Sequence, residues 1–493
     1  VTSAHLAVLQ VVVPLIAAPL IVLLRRAGLA WLAAATVSGF SLVCAIALFV
    51  QVQRVGVISY AIGSWPPPWG IEYRVDAANA FVLVLLGIVA AVVAPYARTS
   101  VAAEVPREQH YLFYTMYCLC LAGLAGITVT GDGFNLFVFL EISSLSSYVL
   151  IALGRDRRAL YAAYQYLIMG TIGATFIVVG VGLLYLKTGT LNLADIAERL
   201  GEERHTRGVL AALAFLTVGI SLKLALYPLH MWLPNAYAFA PSAVAALLAA
   251  TATKVSLYVL LRFYFSVFGA AEVYGALPME DILLALAVAA MFIASAAAIY
   301  QDNLKHLLAY SSVGQIGYIT LGISLGTQTG LTGGIVHLFN HGITKGALFV
   351  LAGAIAFRLR SVRFDRMAGI GRAMPLTCAG IVLGGFSLIG IPATAGFVTK
   401  WYLVLAAVEL GAWWVAFVPV ASSLLALTYM WRFVEVAYLR PPSAEVAALK
   451  EAPLPLLVPG WVLLALVVYF GLDASFTLGA AARAAETLLA GVK

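Results

Sequence analysis

Apolar stretches of about twenty residues recur from one end of the chain to the other, separated by short polar connections. In helix, at about 1.5 Å per residue, such a stretch matches the roughly 30 Å hydrocarbon core of a bilayer. The pattern predicts an all-α polytopic membrane protein with about fourteen transmembrane helices. They fall at 6–24, 30–52, 76–96, 111–130, 134–153, 162–186, 209–232, 242–268, 278–300, 305–325, 330–357, 376–407, 412–438 and 454–476. The alternating strands of an outer-membrane barrel are absent from the pattern. No long polar linker interrupts the series, so 1–493 reads as one integral membrane domain. The connection at 187–208 mixes both charge signs and reads as a short amphipathic surface helix.

Two segments carry their own breaks. The seventh has Lys223 five residues before Pro228, with Pro234 beyond, and the twelfth runs GGFSLIGIPATAGFVTKWYL through Gly390, Pro392 and Gly396. Proline inside a helix frees backbone carbonyls, which in lipid must be satisfied by protein or water. Interrupted helices at corresponding places in two halves point to inverted repeats around a midplane ion site. The halves are helices four to eight, 111–268, and nine to thirteen, 278–438.

Composition agrees with the pattern. Hydrophobic residues make up 63% and charged residues 10% of the chain, against about half and a quarter in a soluble domain. Arginine and lysine concentrate in the odd-numbered connections, above all in GRDRR at 154–158 and in 358–372. This bias predicts a cytoplasmic (inner) membrane location with both termini outside. Arg25 and Arg26 follow the first apolar segment and no basic residue precedes it, the wrong polarity for a cleaved signal peptide. The net charge of +7 is thereby read as topology and not as nucleic-acid affinity. Cys118 and Cys120 share one apolar segment and read as buried thiols, not as a metal site.

Against this background the buried charges stand out. Glu141, Lys223, Lys254, Lys345 and Lys400 interrupt apolar runs, and His337 and His341 precede Lys345 at successive four-residue steps, near one helix face. A charge at bilayer depth is costly and usually marks an ion or proton path. Structural alternatives remain for single members: Glu141 as a cap or pairing group, Lys223 and Lys400 as snorkelling residues near a segment end. Lys254, about twelve residues into its span, is hard to explain that way. Arg432 and Glu435 read as an interfacial pair, and Asp302 and Lys305 as loop residues with short-range partners. Two histidines beside a lysine make a poor metal site, whereas histidine titrates near neutrality and a lysine desolvated in lipid can exchange its proton. No Walker loop, dinucleotide fingerprint, zinc pattern or haem motif occurs, so neither a cofactor nor a classical enzyme is expected.

The segments FVFLEISSLSSYVLI, SLKLALYPLHMWLPNAYAFAPSAVAALLAATATKVSLYVL, LKHLLAYSSVGQIGYI, HLFNHGITKGALFVLAGAI and GIPATAGFVTKWYL occur in this order. Together they resemble the antiporter-like family shared by Mrp-type Na+/H+ antiporters, complex I and membrane-bound hydrogenases. The resemblance covers most of segments four to thirteen. It implies fourteen helices, two inverted five-helix repeats and broken helices seven and twelve. It also implies that Glu141 pairs with Lys223, that Lys254 is the central helix-eight lysine, that His337, His341 and Lys345 form the helix-eleven connection, and that Lys400 is the terminal helix-twelve residue. TATKVSLY and Lys400 are most similar to the D-type branch of the Mrp antiporters, and Leu248 stands where some complex I members carry histidine. The end of GIPATAGFVTKWYL is also similar to hydrogenase and complex I members.

Three functions follow as alternatives. The first is a proton-translocating subunit of a multisubunit Mrp-type antiporter, with other membrane subunits as partners and protons plus Na+ or another monovalent cation as substrates. The second is a proton-pumping subunit of a complex I-like or hydrogenase complex. The third is a solitary secondary transporter of an organic solute, which expects a roomy polar substrate site.

Overall fold

The computed structural model describes residues 5–201 and 205–491 and consists almost wholly of helices. Lipid offers no hydrogen-bond partners, so an apolar run of spanning length closes its own backbone bonds as helix. Among the described residues, twelve helices are long and apolar enough to cross a bilayer, fewer than the fourteen expected. The difference has a physical origin. Leu304–Ser324 has 21 residues, but its YSSVGQ stretch dilutes its apolarity. The segment expected at 376–407 is split into Pro375–Ile389 and Ala395–Glu409, of 15 residues each.

Both expected breaks are present. Helix Arg207–Leu224 ends at Ala225, which adopts a left-handed φ of 59°, and the chain turns through Pro228 before Leu233–Phe239. Helix Pro375–Ile389 ends at Gly390, φ 89°, and Pro392 and Ala393 lead into Ala395–Glu409. At Gly390 a positive φ carries little steric cost because the residue has no Cβ.

Ser242–Phe268 and Gln328–Leu359 pack together in the interior. In the first 94% of the most apolar stretch is buried and in the second 83%, as also in Ala77–Glu104 and Arg107–Val129, against 39% in Leu6–Leu24, Arg157–Thr188 and Met279–Ile299. The peripheral helices leave one side for lipid or for other subunits. Ser242–Phe268 and Gln328–Leu359 approach closely at Gly342, where a Cβ would lie 2.9 Å from the carbonyl oxygen of Ala250. Phe81 of helix Ala77–Glu104 stacks on Phe339 at 4.4 Å from a third side.

The surface helix expected at 187–208 is Leu193–Leu200, capped by Asn192, with Leu193, Ile196, Ala197 and Leu200 buried. The rest of that connection includes 202–204, which lie outside the described residues, as do 1–4 and 492–493 at the termini. Elements without a sequence expectation include an antiparallel hairpin of Ile58–Ala61 with Glu72–Val75 and the helix Ser475–Leu489.

Candidate functional site

Lys223 occupies the last turn of helix Arg207–Leu224. The carbonyl end of a helix carries partial negative charge, which favours a cation there. The break also frees carbonyls, and these find partners. The Leu226 amide donates to Ser221 O at 3.0 Å, and the Trp232 indole donates to Leu222 O at 2.9 Å. Lys223 is 4% exposed. Its Nζ donates to Ser144 Oγ at 2.7 Å and lies 3.8 Å from Glu141 Oε1. Glu141 and Ser144 stand three apart on helix Gly133–Ala152 and so share a face. Glu141 Oε1 accepts no hydrogen bond, so its contact with the lysine is electrostatic. The Glu141 side chain is 28% exposed and lies on the outward stripe of its helix with Phe134, Val138, Leu145 and Val149.

Lys254 is fully buried in helix Ser242–Leu261. Its Nζ donates to Ala249 O at 2.6 Å and to Thr253 Oγ1 at 3.2 Å. No carboxylate lies within ion-pair distance of it among the described residues. It stands within electrostatic reach of His337, His341 and Lys345. The two histidine rings are parallel, 5.6 Å apart. His337 Nδ1 shares a hydrogen bond with Thr399 Oγ1 at 2.8 Å. His337 Nε2 and both ring nitrogens of His341 have no hydrogen-bond partner among the described residues. Buried polar atoms are costly unless bonded, so these three nitrogens are free to bond a water or a moving proton carrier.

The second break is organised by Lys400. Its Nζ donates to Leu388 O, Ile389 O and Ser423 Oγ, each at 2.8 Å, and lies 4.5 Å from the centre of the Tyr318 ring. The lysine thus caps the carbonyl end of the half-helix Pro375–Ile389. Around the break Asn340 Nδ2 donates to Ala395 O at 3.0 Å, and Thr344 and Ser387 hydroxyls meet at 3.1 Å. Lys345 donates to Leu308 O at 2.7 Å and to Ser311 Oγ, within electrostatic reach of His341.

The structure therefore places all seven expected residues in or beside the interior. Glu141 and Lys223 sit together at the first break. Lys254, His337, His341 and Lys345 share the centre, and Lys400 is at the second break. Two expectations need correction. Lys305 is not a loop residue: Asn303 caps helix Leu304–Ser324, which buries Lys305 in its first turn, with Nζ donating to Ser242 Oγ at 2.9 Å. Arg432 and Glu435 do not pair with each other. Arg432 reaches Asp302 at 3.0 Å, and Glu435 binds Arg440 at 2.8 Å, which a π-helical turn over Glu435–Leu439 brings back over it. Sequence reasoning missed the hydroxyl partners Ser144, Ser311, Thr399 and Ser423. Their signal lay in serine clusters inside apolar spans, SSLSS at 143–147 and SS at 311–312.

With this geometry in hand, comparison with known proteins is informative. A family model described as NADH:quinone oxidoreductase/Mrp antiporter, TM, matches residues 130–426, which hold all seven residues. The chain belongs to this family. It is similar to the N subunit of an NADH-quinone oxidoreductase of Desulforudis audaxviator, 41% identical over 491 residues, covering 95% of this chain and 96% of the other. It is also similar to the D subunit of a Na+/H+ antiporter of Alkalihalophilus pseudofirmus, 33% identical over 448 residues, covering 89% of each. Among solved structures it matches a chain of the Mrp complex from Dietzia sp. with a TM-score of 0.91 and 27% identity, covering 99% of this chain and 98% of that one. The fold is accordingly that of an antiporter-like, multi-pass membrane subunit.

Proposed function

We propose that this chain is the proton-translocating subunit of a multisubunit Mrp-type antiporter that exchanges Na+ or another monovalent cation for protons. In this reading 111–268 and 278–438 are the two inverted repeats, each with one broken helix. The observation that carries it is the pair of buried lysines at the two breaks, Lys223 with Glu141 beside it and Lys400 on the freed carbonyls. Glu141 sets how firmly Lys223 holds its proton, because an opposite charge nearby favours the ammonium form. A shift of the carboxylate, or of a cation beside it, loads or releases that proton. Lys254, His337, His341 and Lys345 pass it through the centre, and Lys400 exchanges it at the far end.

The position of Glu141 supports a multisubunit assembly. A carboxylate 28% exposed on an outward helix stripe is expensive against lipid, and a neighbouring membrane subunit covering that face removes the cost. The similarity to an NADH-quinone oxidoreductase member favours a second reading, in which the same path is driven by electron transfer in a redox complex.

The test has two parts. Proteins that copurify in mild detergent separate the readings: small Mrp-type subunits support the first, quinone-reducing subunits the second. In vesicles holding the purified complex, Glu141→Ala and Lys223→Ala each abolish cation-dependent proton transport while the protein stays in the membrane. Transport at the parent rate in either variant refutes the proposed role. The chain alone, reconstituted without partners, shows little coupled exchange; robust exchange by the lone chain would favour a solitary transporter.

A further inference from the structure

The series of buried ionisable groups has one gap. Lys254, the histidines and Lys345 act on one another electrostatically, and His337 also feels Lys400, whereas the charged neighbour of Lys223 is Glu141. The ground between Lys223 and Lys254 is occupied by buried aromatic residues, Tyr148, Tyr166, Trp232 and Tyr237. Their rings form a continuous run. Tyr148 meets Tyr166 edge-on at 4.7 Å, Tyr166 stacks on Trp232 at 3.9 Å, and Trp232 meets Tyr237 edge-on at 6.4 Å.

The two ends of this run lie beside the two lysines' own partners, and the Tyr148 hydroxyl is buried without a hydrogen-bond partner among the described residues. Tyr148 stands one helical turn beyond Ser144, which accepts from Lys223, and lies beside Ser144 and Glu141. Tyr166 lies within electrostatic reach of Tyr148, Tyr237 and Glu141. Tyr237 donates to Leu248 O at 3.1 Å and lies beside Thr253, whose Oγ1 accepts from Lys254 at 3.2 Å. Space is reserved for the first hydroxyl: a Cβ at Gly170 would lie 1.9 Å from the Tyr148 oxygen. Packing needs only the rings, and phenylalanine would supply them. A hydroxyl in an apolar interior adds a desolvation cost, and here three occur in sequence between two lysines.

We propose that Ser144, Tyr148, Tyr166, Tyr237 and Thr253 form the proton path between Lys223 and Lys254. The proposal rests on the reading of the two lysines as proton carriers. Each hydroxyl is both donor and acceptor, so it takes a proton on one side as it releases its own on the other. Where two oxygens stand beyond hydrogen-bond distance, one water bridges them. In one transfer Lys223 goes from ammonium to amine, every hydroxyl gains one proton and loses one, and Lys254 goes from amine to ammonium. Charge is conserved and no electron moves. Rotation of the hydroxyls then resets the path.

The experiment replaces Tyr148, Tyr166 and Tyr237 by phenylalanine, singly and together, in the complete complex. The purified complexes are reconstituted into vesicles, and a pH-sensitive dye follows proton movement after a Na+ pulse. Partner copurification and melting temperature report assembly. The triple variant is expected to assemble normally and to lose roughly a hundredfold or more of the transport rate, the order associated with losing a proton-transferring group. If the triple variant fails to assemble, Tyr166→Phe alone decides, with the same expected loss. A parent rate in an assembled triple variant, or in Tyr166→Phe where that variant decides, overturns the hydroxyl path. Lys223→Ala in the same preparation separates the two levels. An inactive Lys223→Ala beside a fully active tyrosine variant sinks the hydroxyl path alone, whereas an active Lys223→Ala sinks the proton-carrier reading beneath it.

Discussion

Lys400→Met and Lys254→Met remove chemically identical groups from equally apolar surroundings, and the structure predicts opposite consequences for stability. Lys400 donates to Leu388 O and Ile389 O, the last two carbonyls of a half-helix that ends inside the protein. Neither has a partner further along the helix. Gln315 approaches Leu388 O only at 3.4 Å, so removal of the lysine orphans the Ile389 carbonyl and nearly orphans its neighbour. A hydrogen bond to a charged group contributes about 1.5–3 kcal/mol net, so two of them amount to roughly 3–6 kcal/mol. Relief from burying an ammonium offsets part of this, leaving a loss of about 2–3 kcal/mol. Lys254 differs because Ala249 O lies within a continuous helix and already accepts the amide four residues on. Its removal orphans no carbonyl and deletes a buried ionisable group that lacks an ion pair, so Lys254→Met is neutral or mildly stabilising. Melting of the purified complex by tryptophan fluorescence measures the difference. At about 2 °C per kcal/mol or less for a chain of this size, Lys400→Met lowers the midpoint by a few degrees and Lys254→Met leaves it in place. Both variants stop cation-driven proton transport. Equal midpoints, or a larger fall for Lys254→Met, would refute the capping argument.

Three further outcomes are expected. Gly396→Ala places a Cβ 1.8 Å from the Ser387 carbonyl oxygen, a backbone atom that cannot swing aside; it should cost about 2 kcal/mol or more and depress transport, read by melting and by the vesicle assay. Arg262→Met breaks a buried two-pronged pair with Asp76 at 2.7 and 3.0 Å and should cost about 3–5 kcal/mol, with Asp76→Asn in the same chain costing much less than the sum, as a double-mutant melting cycle would show. Lys305→Leu leaves Ser242 Oγ and the nearby Glu104 carboxylate without their cation, and should lower the melting midpoint, whereas a loop lysine would leave it unmoved.

Most helices, and both breaks, were legible along the chain. A segment in lipid must satisfy its own backbone, so apolar length suffices to locate a helix. Proline alone does not mark a stop: Pro95 and Pro419 lie inside continuous helices, and the two breaks were legible because Pro228 and Pro392 follow or accompany a charge or glycines within an apolar run. The buried ionisable residues were legible for a related reason: a charge inside an apolar run is too costly to be incidental. Legibility ended at the segment ends. Leu304–Ser324 was read almost to its bounds, as 305–325, but its Lys305 passed for a loop residue because the capping by Asn303 was not read. The hairpin at Ile58–Ala61 and Glu72–Val75 escaped because its residues lack the long period that identifies a span.

What no linear reading reaches is the choice of partner. Arg432 and Glu435 are three apart on the chain yet bind Asp302 and Arg440: a π-helical turn from Glu435 brings Arg440 onto Glu435, and Asp302 reaches Arg432 from another stretch of chain. His337 and Lys345 lie on one helix, but one meets Thr399 and the other meets Leu308 and Ser311. The aromatic run of Tyr148, Tyr166, Trp232 and Tyr237 draws on three separate stretches of chain. The cost of burying a charge depends on the charge and its surroundings in lipid, which composition along the chain reveals. The bonds that meet that cost extend only about 3 Å, so they depend on which helices come side by side, and only packing in three dimensions sets that.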